Sequence, residues 1–361
     1  ARGAPGLPLL PDGAIALAAT RKCRQGIVRK LVGDEENAVS GDGVEGRQHT
    51  LTWKCGVLRT SRPWRAILVV LIAAFLPGSA VLADSSGEQL AAYYDRHMAV
   101  RGGIAYGWIG SDRPTPMISD VVQVGVSKDA YYALRRDGSL LTWTASPASA
   151  TLLMRDVLSF AAGNSGWLAI NRTRSLWQGS GREPPRKIAE RVIAAAVGDG
   201  TDYYITQAGE LYVRGLANRG QYGDGRLLAA GEFVKTASQV VAVRAHTGHA
   251  LYLASSGEVF GTGGNVNGPL SRHGLGDKAT SWGRIFTGAK GVATGAAHSV
   301  AIREDGTLWA WGSGFAVEPT KIAEQVVTVA AGNGSTIALS ADGKLWAWDG
   351  GRGPRQIVLD R

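Results

Sequence analysis

A turn glycine, preceded by aspartate in its clearest copies and set between aromatic and β-branched runs, returns along this chain at intervals of about 36 residues or somewhat more. A fixed internal period constrains a fold more than any composition does, because each unit must bury its apolar face against the next. The clearest copies are Glu304-Asp-Gly-Thr-Leu-Trp-Ala-Trp311 and Ala341-Asp-Gly-Lys-Leu-Trp-Ala-Trp348. Anchoring on the turn residue gives Gly102, Gly138, Arg174, Gly209, Gly257, Gly306 and Gly343, spaced by 36, 36, 35, 48, 49 and 37 residues. These are seven copies, one of them degenerate at Arg174 and two followed by insertions. Asp-Gly between two such runs predicts a β-hairpin with a type I′ turn. About 36 residues hold four short strands, one propeller blade. Helical solenoids share the period, but the 3.6-residue apolar spacing they need is missing. The expected fold is all-β, a seven-bladed β-propeller.

The phase of the repeat suggests how the ring closes. Pro185-Arg-Lys-Ile-Ala-Glu190 and Pro319-Thr-Lys-Ile-Ala-Glu324 each begin 24 residues before a turn position. Pro354-Arg-Gln-Ile357 then opens an eighth, unfinished copy. The first copy lacks this piece, so the last blade is expected to be shared by N- and C-terminal strands, which would leave no open sheet edge.

The first 83 residues stand apart. Arg59, Arg62 and Arg65 precede an apolar run from Ala66 to Leu76, a Pro-Gly-Ser break and Val81-Leu-Ala83. That order reads as a bacterial secretory signal, over residues 57–83. A core helix or a membrane anchor is the bland alternative, but the run is too short to cross a bilayer. A mature start at Asp84 is expected, with a periplasmic or extracellular destination. Residues 1–56 read as upstream sequence outside the product, or else as a long leader. Both cysteines, Cys23 and Cys55, lie there, so the propeller has no disulfide. The net charge of +9 is also unevenly spread. Residues 1–83 hold 11 Lys or Arg against 6 Asp or Glu, and residues 84–361 hold 28 against 24. That balance is no nucleic-acid footprint.

These residues resemble the regulator-of-chromosome-condensation repeat family, in the manner of a secreted bacterial member. Val292-Ala-Thr-Gly-Ala-Ala-His298, Asp305-Gly306 and Trp311-Gly312 follow its pattern closely. Asn218-Arg-Gly-Gln-Tyr-Gly-Asp-Gly225 matches a further family segment, and Asn265-Val-Asn-Gly268 with His273-Gly-Leu-Gly-Asp277 matches it loosely. The resemblance implies a seven-bladed propeller that presents loops to another macromolecule. It fixes no partner, since function lives in sites grafted on folds.

Residues that carry chemistry elsewhere have structural readings here. His249 and His298 share one repeat position, expected at the start of an inner strand and bonded to nearby backbone, so no metal is assigned. Asp137, Asp305 and Asp342 precede turn residues, which turn chemistry explains. No acid/base pair, nucleophile elbow or phosphate loop stands out, so no enzyme activity and no cofactor are expected. Trp143, Trp309, Trp311, Trp346 and Trp348 recur in register and read as packing between blades. Trp108 and Trp282 fall outside that register and read as exposed contacts. The insertions, about residues 215–239 and 261–288, follow equivalent positions in consecutive blades and should lie side by side. Loops on rigid scaffolds carry function, and Tyr, Trp and Arg dominate interface hot spots. The candidate binding residues are therefore Arg219, Tyr222, Arg226, Arg272, His273, Trp282 and Arg284. The expected role is an exported, monomeric, protein-binding scaffold of inhibitor or adaptor type, with no nucleic-acid partner and no stable membrane span. The alternatives are a secreted effector that promotes nucleotide exchange on a small GTPase and a propeller enzyme acting on carbohydrate.

Overall fold

Each repeat folds as an antiparallel meander, because its short apolar runs are joined by tight turns and pair with their sequence neighbours. The computed structural model describes residues 89–180, 183–271, 276–350 and 352–359. The expected signal segment, the start at Asp84 and the leader lie outside those residues. Among the described residues the strands form seven sheets of four consecutive strands. Blade 1 covers residues 90–119, and blades 2 to 7 cover 121–154, 157–189, 192–237, 240–286, 289–323 and 326–357. The first strands of successive blades touch one another around a central axis, including those of blades 7 and 1.

Blade 6 shows why the ring holds. Its strands are Ala289–Thr294, His298–Arg303, Leu308–Gly312 and Thr320–Ala323. Side chains alternate between the two faces of a strand. Val300, Ile302, Leu308 and Ala310 pack with Val326, Ala338 and Trp348 of blade 7. Ala301 and Trp311 pack with Leu251, Leu253 and Phe286 of blade 5. Seven apolar clusters fill the seven blade boundaries in this way. Both faces of the second strands are buried, so these strands read as apolar runs rather than as alternating ones, while the outermost strands stay partly exposed.

The turns differ from the sequence expectation. In blades 2 and 4 to 7 only the glycine has positive φ, from 74° at Gly209 to 89° at Gly138. The preceding residue stays in ordinary backbone, and where it is aspartate, in blades 2, 6 and 7, its carboxylate accepts an N–H two residues on, as in Ser139 N to Asp137 Oδ1 at 2.8 Å. This is a type I turn closed by a left-handed residue, a three-residue hairpin. Blade 1 alone has the two-residue form, with positive φ at both Gly102 and Gly103. Arg174 adopts the same left-handed conformation, φ 61°, without being glycine.

The turn residue also links blades. The carbonyls of Gly103, Gly138, Arg174, Gly209, Gly257 and Gly306 each accept the first strand N–H of the following blade, at 2.8–3.0 Å. The Gly343 carbonyl accepts instead from the Arg101 guanidinium of blade 1. That bond belongs to a closure unlike the expected one. Arg355–Ile357 pairs with Leu345–Asp349 and completes blade 7, while Leu90–Tyr93 pairs with Arg96–Arg101 in blade 1. No blade is shared. The Pro-x-x-Ile segment is the outermost strand of the blade it follows, tied to that blade by a short loop, and does not open the next. Blades 7 and 1 meet through side chains, with Trp108, Leu90 and Ala99 against Ile337, Leu345 and Ile357, and through a backbone bond, from Asn333 N to Tyr94 O at 2.9 Å.

Candidate functional site

Strand direction sorts the loops between two ends of the propeller. The turn residues and the blade-to-blade links occupy one end. The loops after the first and third strands occupy the other, and both insertions lie there, in loops 216–229 and 265–277. As expected, they sit side by side.

The roots of both insertions are built into the next blade. In the first, Gly220 has φ 85°, and a Cβ there would come within 2.3 Å of the Ala279 carbonyl. Its own carbonyl accepts from Thr262 Oγ1 at 2.8 Å. Gly225 N bonds Thr280 O and Trp282 N bonds Gly223 O, so the loop runs along the outer strand of blade 5. In the second, the Pro269 carbonyl accepts both Trp311 Nε1 at 2.7 Å and Ser299 Oγ at 2.8 Å.

This placement changes the roles of several candidates. Tyr222 is fully buried; its hydroxyl donates to Gly215 O at 2.9 Å and accepts from Ala230 N at 3.0 Å. It is core, not a contact for a partner. Trp282 is half-buried, edge-on to Tyr252 with ring centroids 4.7 Å apart, and covers Gly223. Trp108 is also core, 3% exposed and stacked on His97. Arg226 is tied to Asp224 at 2.7 Å and lies over the Tyr222 ring. Arg284 pairs with Glu258 near the opposite end of the blade, away from the insertions. Arg272 and His273 lie outside the described residues. Of the candidates, Arg219 remains exposed on the shared face, its stem lying over Gly248 and Gly264.

Around Arg219 lies a groove of about 570 Å³ between blades 4, 5 and 6. Gly248, Gly264, Ala296 and Ala297 keep it open, and Asn218, Val266, Pro269, Asp277 and Lys278 complete its walls. Sequence reasoning passed over the apolar side chains beside it. Of ten exposed large aliphatic residues among the described ones, four (Leu216, Leu227, Leu228 and Val266) are in these loops, and Val317 is in the equivalent loop of blade 6. Leu228 is 82% and Val266 56% exposed. The Leu227-Leu228 pair within a glycine-rich insertion was the available signal.

The histidines form a second constellation. His249 Nε2 is hydrogen-bonded to Ser299 Oγ of blade 6, and His298 Nε2 to Thr336 Oγ1 of blade 7. At the seam the partners are exchanged, with Ser335 Oγ of blade 7 bonded to His97 Nε2 of blade 1. These histidines start second strands and clasp a neighbouring hydroxyl, not nearby backbone. Burial lowers His97 and His298 to about 4. His249 falls to about 3, through burial and then the neighbouring His298. His246 also falls to about 3, through burial and then His249 and His298, and it stacks on Tyr93 across the axis at 4.2 Å.

Residues 289–315, the first three strands of blade 6 with the start of the next loop, match the regulator of chromosome condensation (RCC1) repeat family. The structure resembles Prp20p from Saccharomyces cerevisiae, with a TM-score of 0.57 and 17% identity, covering 68% of this chain and 80% of that one. Yeast RCC1 (Prp20) in complex with Kap60 gives a TM-score of 0.50 and 15% identity, covering 75% and 74%. The CRINKLY WD40 ectodomain of the Arabidopsis thaliana receptor kinase ACR4 gives 0.51 and 12%, covering 76% and 98%. At these identities the likeness is one of fold, and it agrees with the family match in blade 6. The chain is a seven-bladed β-propeller that carries a repeat of the regulator of chromosome condensation type.

Proposed function

We propose that this chain is an exported, non-catalytic scaffold that binds a protein partner through the insertion face of blades 4 to 6. The observation that carries the reading is that exposed Leu216, Leu227, Leu228 and Val266 lie on the two insertion loops and Val317 on the equivalent loop of blade 6, all at one end of the propeller, with Val266 lining the groove. Large apolar side chains left exposed on neighbouring loops point to an interaction surface. The side chains sit on loops whose roots are fixed by buried hydrogen bonds, so little ordering is lost on binding. Prp20p, of the same fold, is described by its binding to Gsp1p and histones, which supports a scaffold role here. Export rests on the segment at residues 57–83, and intact-mass analysis of secreted protein should return a chain starting at Asp84.

The test is capture of a partner by the full chain and by Leu228→Asp and Val266→Asp variants. The variants should lose the partner by tenfold or more while their melting temperatures stay within a degree or two. Undiminished capture by both would place the interface elsewhere.

A further inference from the structure

The charges of the groove narrow the partner beyond what its apolar rim requires. Arg219 and Lys278 both line it, and neither side chain has a hydrogen bond or ion pair among the described residues. Much of the basic surface is otherwise matched. Arg136 pairs with Asp120, Arg172 with Asp156, Lys235 with Glu210 and Lys321 with Glu324. Arg219 is also held in place. Its backbone N–H is bonded to Gln221 Oε1 at 2.8 Å, and a Cβ on Gly248 would come within 2.9 Å of its guanidinium. The backbone bond fixes where the side chain starts and the Gly248 surface carries its stem, while the planar fork, without a protein partner among the described residues, matches a carboxylate.

We propose that the groove receives a short partner segment bearing a carboxylate beside an aliphatic side chain, the carboxylate bound by Arg219 and Lys278. The aliphatic group lies against Val266 and the glycine and alanine floor. This rests on the insertion face being the docking face. Asp277 stands on the same rim as a lone acidic group and opposes the incoming carboxylate. The three charges therefore give opposite expectations for opposite ligands, and their signs can be read separately.

The probe is a displayed library of random dodecapeptides selected on the full chain, followed by fluorescence anisotropy of one enriched peptide and its Lys-for-Asp/Glu counterpart. Enriched sequences should place Asp or Glu next to Leu, Ile, Val or Met. Arg219→Ala should weaken the acidic peptide about tenfold, as loss of one charge-assisted contact does. Lys278→Ala should weaken it less. Asp277→Asn should leave it unchanged or tighten it, and Val266→Asp, within the groove, should abolish binding. Enriched peptides that are basic, or indifferent to Arg219→Ala yet still lost with Val266→Asp, overturn the acidic partner and leave the face intact. Peptides indifferent to Leu228→Asp and Val266→Asp, or no enrichment over a scrambled control, overturn the face and this inference with it. Self-association of the chain that Leu228→Asp removes would make a second copy the occupant, and would equally overturn it.

Discussion

Blades 4 to 6 and blades 1 to 3 solve the same packing problem differently. In blade 6 the indole N–H of Trp311 is buried and bonded to Pro269 O, a carbonyl delivered by the insertion of blade 5. Thr262, at the matching position of blade 5, reaches Gly220 O from the insertion of blade 4. Trp108 and Trp143 hold that position in blades 1 and 2, where no insertion comes. Their indole nitrogens are buried with no protein partner among the described residues. An unmade hydrogen bond costs stability, and the plain blades accept that cost. Much of what looks like an added binding loop is therefore a stitch between blades, and only its tip is free to meet a partner.

Acid should break this comparison most strongly. The imidazole clasps lie at the boundaries of blades 5 and 6, 6 and 7, and 7 and 1, while blades 2 to 4 contain no histidine. In the folded protein these rings stay neutral down to about 4 for His97 and His298, and about 3 for His246 and His249. The unfolded chain takes up the same protons near 6.5, so it binds more protons throughout that window. Stability is full above about pH 6.5 and falls as the pH drops toward 4 and then 3. For His97 alone, a fall from 6.5 to about 4 corresponds to about 3 kcal/mol. Hydrogen exchange at pH 4.5 should show blades 5 to 7 losing protection before blades 2 and 3; uniform loss would mean that the clasps do not control the boundary.

Tyr222→Ala comes next. A fully buried aromatic side chain in the first insertion should cost about 3–5 kcal/mol of stability on truncation, and calorimetry reads it directly. Partner affinity per folded molecule should be unchanged, which separates the root of the loop from its tip. A smaller effect distinguishes the two indoles. Trp311→Phe should cost about 1 kcal/mol more than Trp143→Phe, because only the first discards a hydrogen bond and leaves Pro269 O with one donor fewer. Equal losses in denaturant titrations would show that the stitch adds nothing. Smallest is a gain on the plain side. Arg174 occupies left-handed backbone that glycine adopts without penalty. Arg174→Gly should raise stability by about 0.5–1 kcal/mol.

Most of the fold could be read from the repeat, because a left-handed turn residue and an interblade tryptophan each leave a mark in sequence. Even Arg174 was placed correctly by spacing alone. Trp108 was missed because blade 1 carries Gly102 and Gly103 together. Gly103, whose carbonyl accepts Val121 N, is the partner of Gly138, and counting from it puts Trp108 in register with Trp143. The shared blade was misread because a repeat in sequence has no beginning, whereas a sheet does. The site was harder to read. Tyr222 belongs to the residue types that dominate interfaces, and only its hydroxyl bonds to Gly215 and Ala230 show that it faces inward. Leu228 looked ordinary beside it, since nothing local marks an aliphatic side chain as uncovered.

A ring closed by side-chain packing and a few hydrogen bonds, with no strand exchanged among the described residues, has a modular consequence. Every blade is one uninterrupted stretch of chain, so the boundaries of the sheets are also boundaries in the sequence. Joining residue 359 to residue 89 and reopening the circle at another interblade link would yield a permuted chain with all seven sheets whole. By the same logic, duplicating or excising one segment of about 36 residues adds or removes one complete blade. The unit of inheritance and the unit of folding coincide here, which an exchanged strand would have prevented.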